Sequence, residues 1–273
     1  MRRYRKPHRA RKKKPIFKNR FFWIGASVAI ILIILVYWVF FSAFFRIEEI
    51  TVSGQKKLSR EDIKGLVEEE IDKQFGFFPS RNILLANGES IEERISETFP
   101  LVGFVDIQKD FPRHLSATIR ERTPEAKICR YITKEESVGE EVCFNLDKNG
   151  VIFEITQKGE LLLKLRQDEE QNEWLLGGEI VDPELLSRIK EISVRLKDSE
   201  VYPQEIVIVT SERINVITSE GWRIFFNPKE DLEWQLTKLK AVLDEHITPE
   251  ERKELDYIDL RFGNLAPLKK KGE

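Results

Sequence analysis

The chain has 273 residues, 41% hydrophobic and 34% charged, a size that suffices for one or two compact domains outside any membrane. Its formal charge of -2 averages two unlike parts, because residues 1–20 carry eleven Lys or Arg and no acid, leaving 34 bases against 47 acids in the rest. With three histidines and two cysteines it shows no paired-histidine metal motif, nucleophile elbow or phosphate loop, so composition and motifs point away from catalysis.

Residues 21–45 read FFWIGASVAIILIILVYWVFFSAFF without a charge, where roughly 20 residues cross a hydrocarbon core of about 30 Å. The run predicts one transmembrane helix with some tilt. Trp23 at one end and Tyr37 and Trp38 toward the other suit the interfacial aromatic belts, and the basic block before the span predicts a cytoplasmic N-terminus. The expected protein is therefore a type II, single-pass protein of the cytoplasmic membrane with everything from residue 46 exported. A cleaved signal peptide has a shorter apolar region followed by small residues, whereas Phe44 and Phe45 at the exit favour an uncleaved anchor. The basic tail has a second reading as a nucleic-acid arm. Topology already explains its charge, and Tyr4 and His8 give too little aromatic interleaving for base stacking, so no nucleic acid is expected.

Beyond the span, apolar residues alternate at Phe45 and Ile47, slip by one, and alternate again at Ile50 and Val52, which predicts a strand with a bulge near Glu48-Glu49, ended at Gly54. Ser59 with Asp62 opens a helix whose apolar face is Ile63, Leu66, Val67 and Ile71. Ser90 with Glu93 predicts the start of a second helix carrying Ile91, Ile95 and Phe99, stopped by Pro100. Two strands follow around Val105-Ile107 and Leu115-Ile119, joined by a turn at Asp110-Phe-Pro-Arg113. The order is β-α-α-β-β, with an edge available at residues 47–52 or 117–120.

A second region begins near Thr123-Pro124. Residues 126–131, 142–146, 151–153 and 161–165 read as strands, with Asp147-Lys-Asn-Gly150 as a hairpin turn in preference to a calcium loop, whose remaining ligand spacing is absent. Asp182-Pro183-Glu184 starts a helix carrying Leu185, Ile189, Ile192 and Leu196. Strands at 206–210, 214–218 and 222–226 precede a helix opening at Asn227-Pro228 and carrying Leu232, Leu236, Leu239 and Leu243. The last strand spans 257–262, with Ile258, Leu260 and Phe262 on one side and Tyr257, Asp259 and Arg261 on the other. Residues 266–273 are expected to be a disordered basic tail.

Cys129 and Cys143 sit on neighbouring strand segments in the exported part and predict a cross-strand disulfide, with two buried free thiols as the other reading. His114 lies at a strand entry and His246 closes a helix, where a partial positive charge is favourable without any catalytic role. No metal or cofactor is expected.

FRIEEITVSG (45–54), the helix opening at Ser59, FPLVGFVDIQKDFPRHLSATIRERTPEA (99–126) and YIDLRFGN (257–264) together resemble the FtsQ/DivIB family of bacterial division proteins. The resemblance implies an α+β protein with a cytoplasmic tail (1–20), a single N-terminal transmembrane helix (21–45), a β-α-α-β-β POTRA domain (46–122), a second mixed antiparallel-sheet β-domain with helices (123–265), and a tail (266–273). It further implies a noncatalytic divisome scaffold that holds FtsB/DivIC-like and FtsL-like partners near the septal wall synthase, at the division septum. Carried over residue by residue, the partner-binding positions are Tyr257, Asp259, Leu260, Arg261, Phe262, Gly263 and Asn264, with Arg261 as an anchoring cation and Phe262 as an apolar anchor. The residues alone leave a second reading open, in which Leu260 and Phe262 pack the core and Asp259 pairs with Arg261. An alternative of another class is an anchored envelope hydrolase, or a transport or assembly factor whose POTRA module holds polypeptide.

Overall fold

The computed structural model describes residues 20–73, 81–132, 140–156, 163–167, 174–248 and 250–272; the basic stretch 1–19, His8 included, lies outside them. Among the described residues the architecture is α+β, with an apolar N-terminal helix followed by two sheets of three and nine strands. The chain divides into two compact units, one of Met1–Ser53, Ser59–Ile91 and Asp106–Thr118, the other of Gly54–Leu58, Glu92–Val105 and Ile119–Glu273.

Helix α1 (Arg20–Phe41) is apolar all round, buries no residue, and is long enough to cross a membrane. It stops four residues before the apolar run does. Ser42 breaks it by accepting the Phe44 amide on its side chain, and Ala43–Phe45 form one 3-10 turn. In β1 (Glu49–Ser53) the slip in alternation has a visible cause: the amides of Glu48 and Glu49 both reach the Arg113 carbonyl, at 2.9 and 3.5 Å. Ser59 caps α2 (Arg60–Asp72), which buries Ile63, Val67 and Ile71. Helix α3 (Gly88–Thr98) begins two residues ahead of the Ser90 signal, with the Ile91 amide already bonded to the Asn87 carbonyl. The Ser90 hydroxyl, expected to be a cap, instead donates to Glu70 at 2.9 Å. Strands β2 (Val102–Asp110) and β3 (His114–Glu121) complete a sheet in the order β1-β3-β2, with β1 and β3 parallel. This order corrects one expected edge: β3 is the central strand, with Ala117 and Thr118 paired to β1, and β1 and β2 are the outer strands.

The larger sheet runs through β4 (Ala126–Ile132), β5 (Glu140–Leu146), β6 (Ile152–Thr156), β7 (Leu163–Gln167), β8 (Pro203–Thr210), β9 (Arg213–Thr218), β10 (Arg223–Phe226), β11 (Leu255–Asp259) and β12 (Leu268–Lys270). Its spatial order is β12-β11-β10-β9-β8-β7-β4-β5-β6. Two of its parallel pairs, β7 with β8 and β10 with β11, are joined by helices α4 (Pro183–Lys197) and α5 (Leu232–Glu245). Parallel neighbours need such crossovers, and a common handedness puts both helices on one face. Beneath them lies the core: Leu186, Ile189, Ile192 and Leu196 of α4 and Leu236 and Leu239 of α5 meet Ile128, Leu165, Ile206, Ile224 and Ile258 of the sheet.

Asp182 caps α4 with Pro183 at its first position. Helix α5 starts later than Asn227-Pro228 predicts, because Asp231 takes the Trp234 amide and Gln235 folds back on Asn227, bonding its N–H at 3.0 Å and its carbonyl at 2.9 Å. The hairpin turn at Asp147 closes on itself. The Asp147 carboxylate accepts the amides of Asn149 and Val151 and pairs with Arg122, which occupies the oxygens a calcium ion would need. Gly150 has φ +73, and a Cβ there would lie 1.7 Å from the Val181 carbonyl oxygen, so this turn requires glycine. Cys129 and Cys143 stand opposite each other in β4 and β5 and are joined as a disulfide.

Candidate partner-docking edge

Strand β11 buries Leu255 and Ile258 toward the helices, and the chain then runs on through buried Leu260. It is paired on both sides. Beside the parallel contact with β10 lies an antiparallel contact with β12, matching Leu255 with Lys270, Tyr257 with Lys269 and Ile258 with Leu268. Residues 266–273 are therefore not a disordered tail throughout, and the strand read from sequence as the last is not the outer one. Among the described residues the rim at this end of the sheet is β12. The Pro267 carbonyl accepts the Asp259 amide at 2.8 Å, the Lys271 amide bonds the Glu254 carbonyl at 2.7 Å, and Lys270 pairs with Glu251 at 2.9 Å. Since Pro267 addresses β11, alternation along the strand turns the main-chain groups of Leu268 to the open side.

The residues singled out in sequence take distinct places. Tyr257 stacks on Phe225 with ring centroids 5.0 Å apart. Asp259 is buried and holds Arg261 through two side-chain bonds of 2.9 and 2.6 Å, as well as the Arg261 amide at 3.1 Å. The carboxylate raises the Arg261 pKa against the opposing effect of burial. Leu260 is a core residue whose amide bonds Phe225. Phe262 is 52% exposed, because β11 ends at Asp259 and the chain bends before residue 262 can follow the strand's alternation. The Gly263 carbonyl accepts two side-chain donors, Trp234 at 3.0 Å and Lys238 at 2.9 Å. Asn264 is exposed in the turn. The structure thus brings together Arg261, Phe262, Gly263 and Asn264 at the surface, while Asp259 and Leu260 act from beneath.

Lys238 organises this turn and was missed in sequence. Its buried ammonium reaches the carbonyls of Leu260 at 2.5 Å, Gly263 at 2.9 Å, Leu265 at 3.3 Å and Phe262 at 3.4 Å. Burial lowers its pKa below the usual lysine range, partly offset by Glu230 and Asp259. Its one sequence signal is position, since it falls between Leu236 and Leu239 on the apolar side of α5 and lysines at such places ordinarily snorkel outward. Trp234, also half-exposed, stands beside the turn through its bond to Gly263. On the face away from the helices, Phe225 lies beneath Arg213, Arg223 and Arg261, whose guanidinium carbons sit 5.0, 5.9 and 5.6 Å from its centroid. A sheet end that offers an edge strand, exposed apolar side chains and a cluster of arginines is equipped to hold another polypeptide.

Elsewhere, Asp110, His114 and Thr51 line up a carboxylate, an imidazole and a hydroxyl, with His114 Nδ1 3.3 Å from Asp110 and Nε2 2.8 Å from Thr51. Thr51 and His114 lie on the paired strands β1 and β3 and Asp110 ends β2, where cross-strand polar contacts account for them.

Two family models match the chain, the FtsQ-type POTRA domain over residues 45–122 and the cell division protein FtsQ/DivIB C-terminal domain over residues 143–261. The chain belongs to the FtsQ/DivIB family. No curated protein matches it. FtsQ/DivIB proteins are generally noncatalytic cell-division scaffolds, and the N-terminal apolar helix fits a membrane-anchored division protein with protein partners. The C-terminal family match ends at Arg261, so β12 and the turn before it lie beyond the shared pattern, which is where this FtsQ/DivIB chain completes its sheet.

Proposed function

We propose that the protein is a noncatalytic divisome scaffold that receives an extended segment of an FtsB/DivIC-like partner on β12, with an FtsL-like protein held alongside, and so helps control the septal wall synthase. The basic tail supports a cytoplasmic N-terminus with both folded domains outside it, and the family's division role supports a position at the septum. The observation that carries this reading is the position of β12 as the outer strand of the sheet, with Leu268 addressing the open side. An incoming strand would gain main-chain hydrogen bonds there, and Phe262, Leu268 and Trp234 would supply apolar contacts. Arg261, fixed by Asp259, would meet an acidic or carbonyl group. Confinement of all partners to one membrane strengthens sites that are weak in isolation.

The test uses the full chain in nanodiscs with an FtsB/DivIC-type partner. Leu268→Pro removes the outward amide, and Phe262→Ala removes an exposed ring without touching the core. Each is expected to weaken binding roughly tenfold or more, on the scale of a lost hydrogen bond or an interface anchor. Undiminished binding by both variants would exclude this edge. Wall-polymer turnover by the purified protein would instead favour the hydrolase reading.

A further inference from the structure

The smaller unit carries a second exposed apolar surface, and the topology states where it faces. Strands β1 and β3 are parallel, with Glu49 opposite His114, so both start at the same end of the sheet. Strand β1 follows directly from α1, and that end is therefore the one nearest the bilayer. The turn before β3, Phe111-Pro112-Arg113, must lie there too. Phe111 in that turn is 59% exposed, and Phe44, in the turn that follows α1, is 48% exposed. The two segments are tied together. Arg113 donates to the Phe44 carbonyl at 3.3 Å, lies 5.9 Å from the Phe44 ring centroid and pairs with Glu48 at 2.9 Å, while its own carbonyl takes the Glu48 amide.

The junction with the helix is also clamped. The side-chain amide of buried Asn82 donates to the carbonyls of Phe40 at 2.9 Å and Val39 at 3.4 Å, two of the carbonyls that the end of α1 leaves without a helical partner. The Ile83 amide bonds the Phe45 carbonyl, and the Ile47 amide bonds the Arg81 carbonyl. A single exposed phenylalanine means little. Two exposed rings held at the foot of a bilayer-spanning helix, joined to it by bonds rather than a free linker, are placed as interfacial anchors are.

We propose that the POTRA domain seats on the surface of the bilayer that α1 crosses, with Phe44 and Phe111 inserted at headgroup depth and Asn82 fixing the domain to the helix end. The occupant of this surface is lipid, because it is continuous with the apolar surface of α1. The inference needs only that α1 spans a membrane, so it stands or falls independently of partner binding at β12.

The test places single cysteines at Phe111 or Ser53 of the full chain, labels each with bimane, and reconstitutes the protein in nanodiscs; the native cysteines are bridged and do not react. Ser53 closes β1 at the other end of the strand, four residues and about 13 Å from Glu49. Headgroup-attached nitroxide lipids are expected to quench the label at 111 at least about twofold more than at 53, with a blue-shifted emission, as interfacial burial requires. Equal quenching of both labels, with equal access to aqueous iodide, would overturn the proposal. Phe111 is exposed, so its replacement leaves the core untouched; Asn82→Ala labelled at 111 is expected to lose part of the lipid quenching while Asn82→Ala labelled at 53 stays unchanged, and retention of full quenching would remove Asn82 from the anchoring role.

Discussion

Replacing Lys238 by methionine keeps the length and apolar stem of the side chain and deletes only the ammonium. The group makes two short bonds, to Leu260 at 2.5 Å and Gly263 at 2.9 Å, and two longer contacts, to Leu265 and Phe262. Bonds to a charged group contribute about 1.5–3 kcal/mol each, so the two short ones bound the loss at roughly 3–6 kcal/mol. Removing a buried charge returns part of that, as the lowered lysine pKa indicates, which leaves a local loss of roughly 2–3 kcal/mol. Hydrogen exchange of the full chain measures it. The amides of Asp259, Leu265 and Lys271, all bonded around this turn, should lose about 30- to 140-fold in protection while β8 keeps its own, the factor following from tenfold per 1.4 kcal/mol of local opening. Unchanged protection around the turn, or an equal loss throughout the sheet, would refute the claim that Lys238 acts by holding this segment.

Three further predictions concern stability. Reducing the Cys129–Cys143 bridge, which closes a loop of 14 residues' separation, should cost the larger unit about 3 kcal/mol, seen as a lower melting temperature with reductant and no such change in a Cys129→Ser, Cys143→Ser variant. Gly150→Ala forces both a positive φ and a collision with the Val181 carbonyl, and should destabilise by about 3 kcal/mol or more in urea unfolding; a loss under about 1 kcal/mol would show that the turn adapts. Glu251 is held down to about 2 by its bond to Lys270 and by the amide and hydroxyl of Thr248. Its folded pKa lies below the unfolded value of 4.5, so the unfolded chain protonates first. The stabilisation is complete above about pH 4.5 and is lost as pH falls through about 2, and Glu251→Gln should flatten the pH dependence of unfolding in that window.

The legible parts of the fold were those whose local chemistry agrees with their environment. The uncharged run 21–45, the Ser59 cap, the Asp182-Pro183 start and the alternation of Trp222, Ile224 and Phe226 each carry a strong local signal, and α1, α2, α4 and β10 lie where those signals point. Errors came where tertiary contacts overrule a short motif. Ser90 bonds Glu70 across the fold rather than capping α3, and Asn227 is engaged by Gln235 instead of starting α5. The site was only partly readable. Arg261 and Phe262 do reach the surface, but β12 is three residues, Leu-Lys-Lys, too short and too charged for alternation to reveal a strand. Its partners Glu254 and Glu251 are visible only in three dimensions. Lys238 and Asn82 escaped for a shared reason: a polar side chain that satisfies main-chain carbonyls looks, in sequence, like an ordinary solvated one.

Amide exchange at Leu268 addresses the docking claim most directly. In the full chain alone that amide, turned to the open side of β12, should exchange rapidly, and an FtsB/DivIC-type partner should slow it about a hundredfold or more as a new strand forms on it. Saturating partner that leaves exchange across residues 266–271 as fast as before would contradict strand addition at this edge.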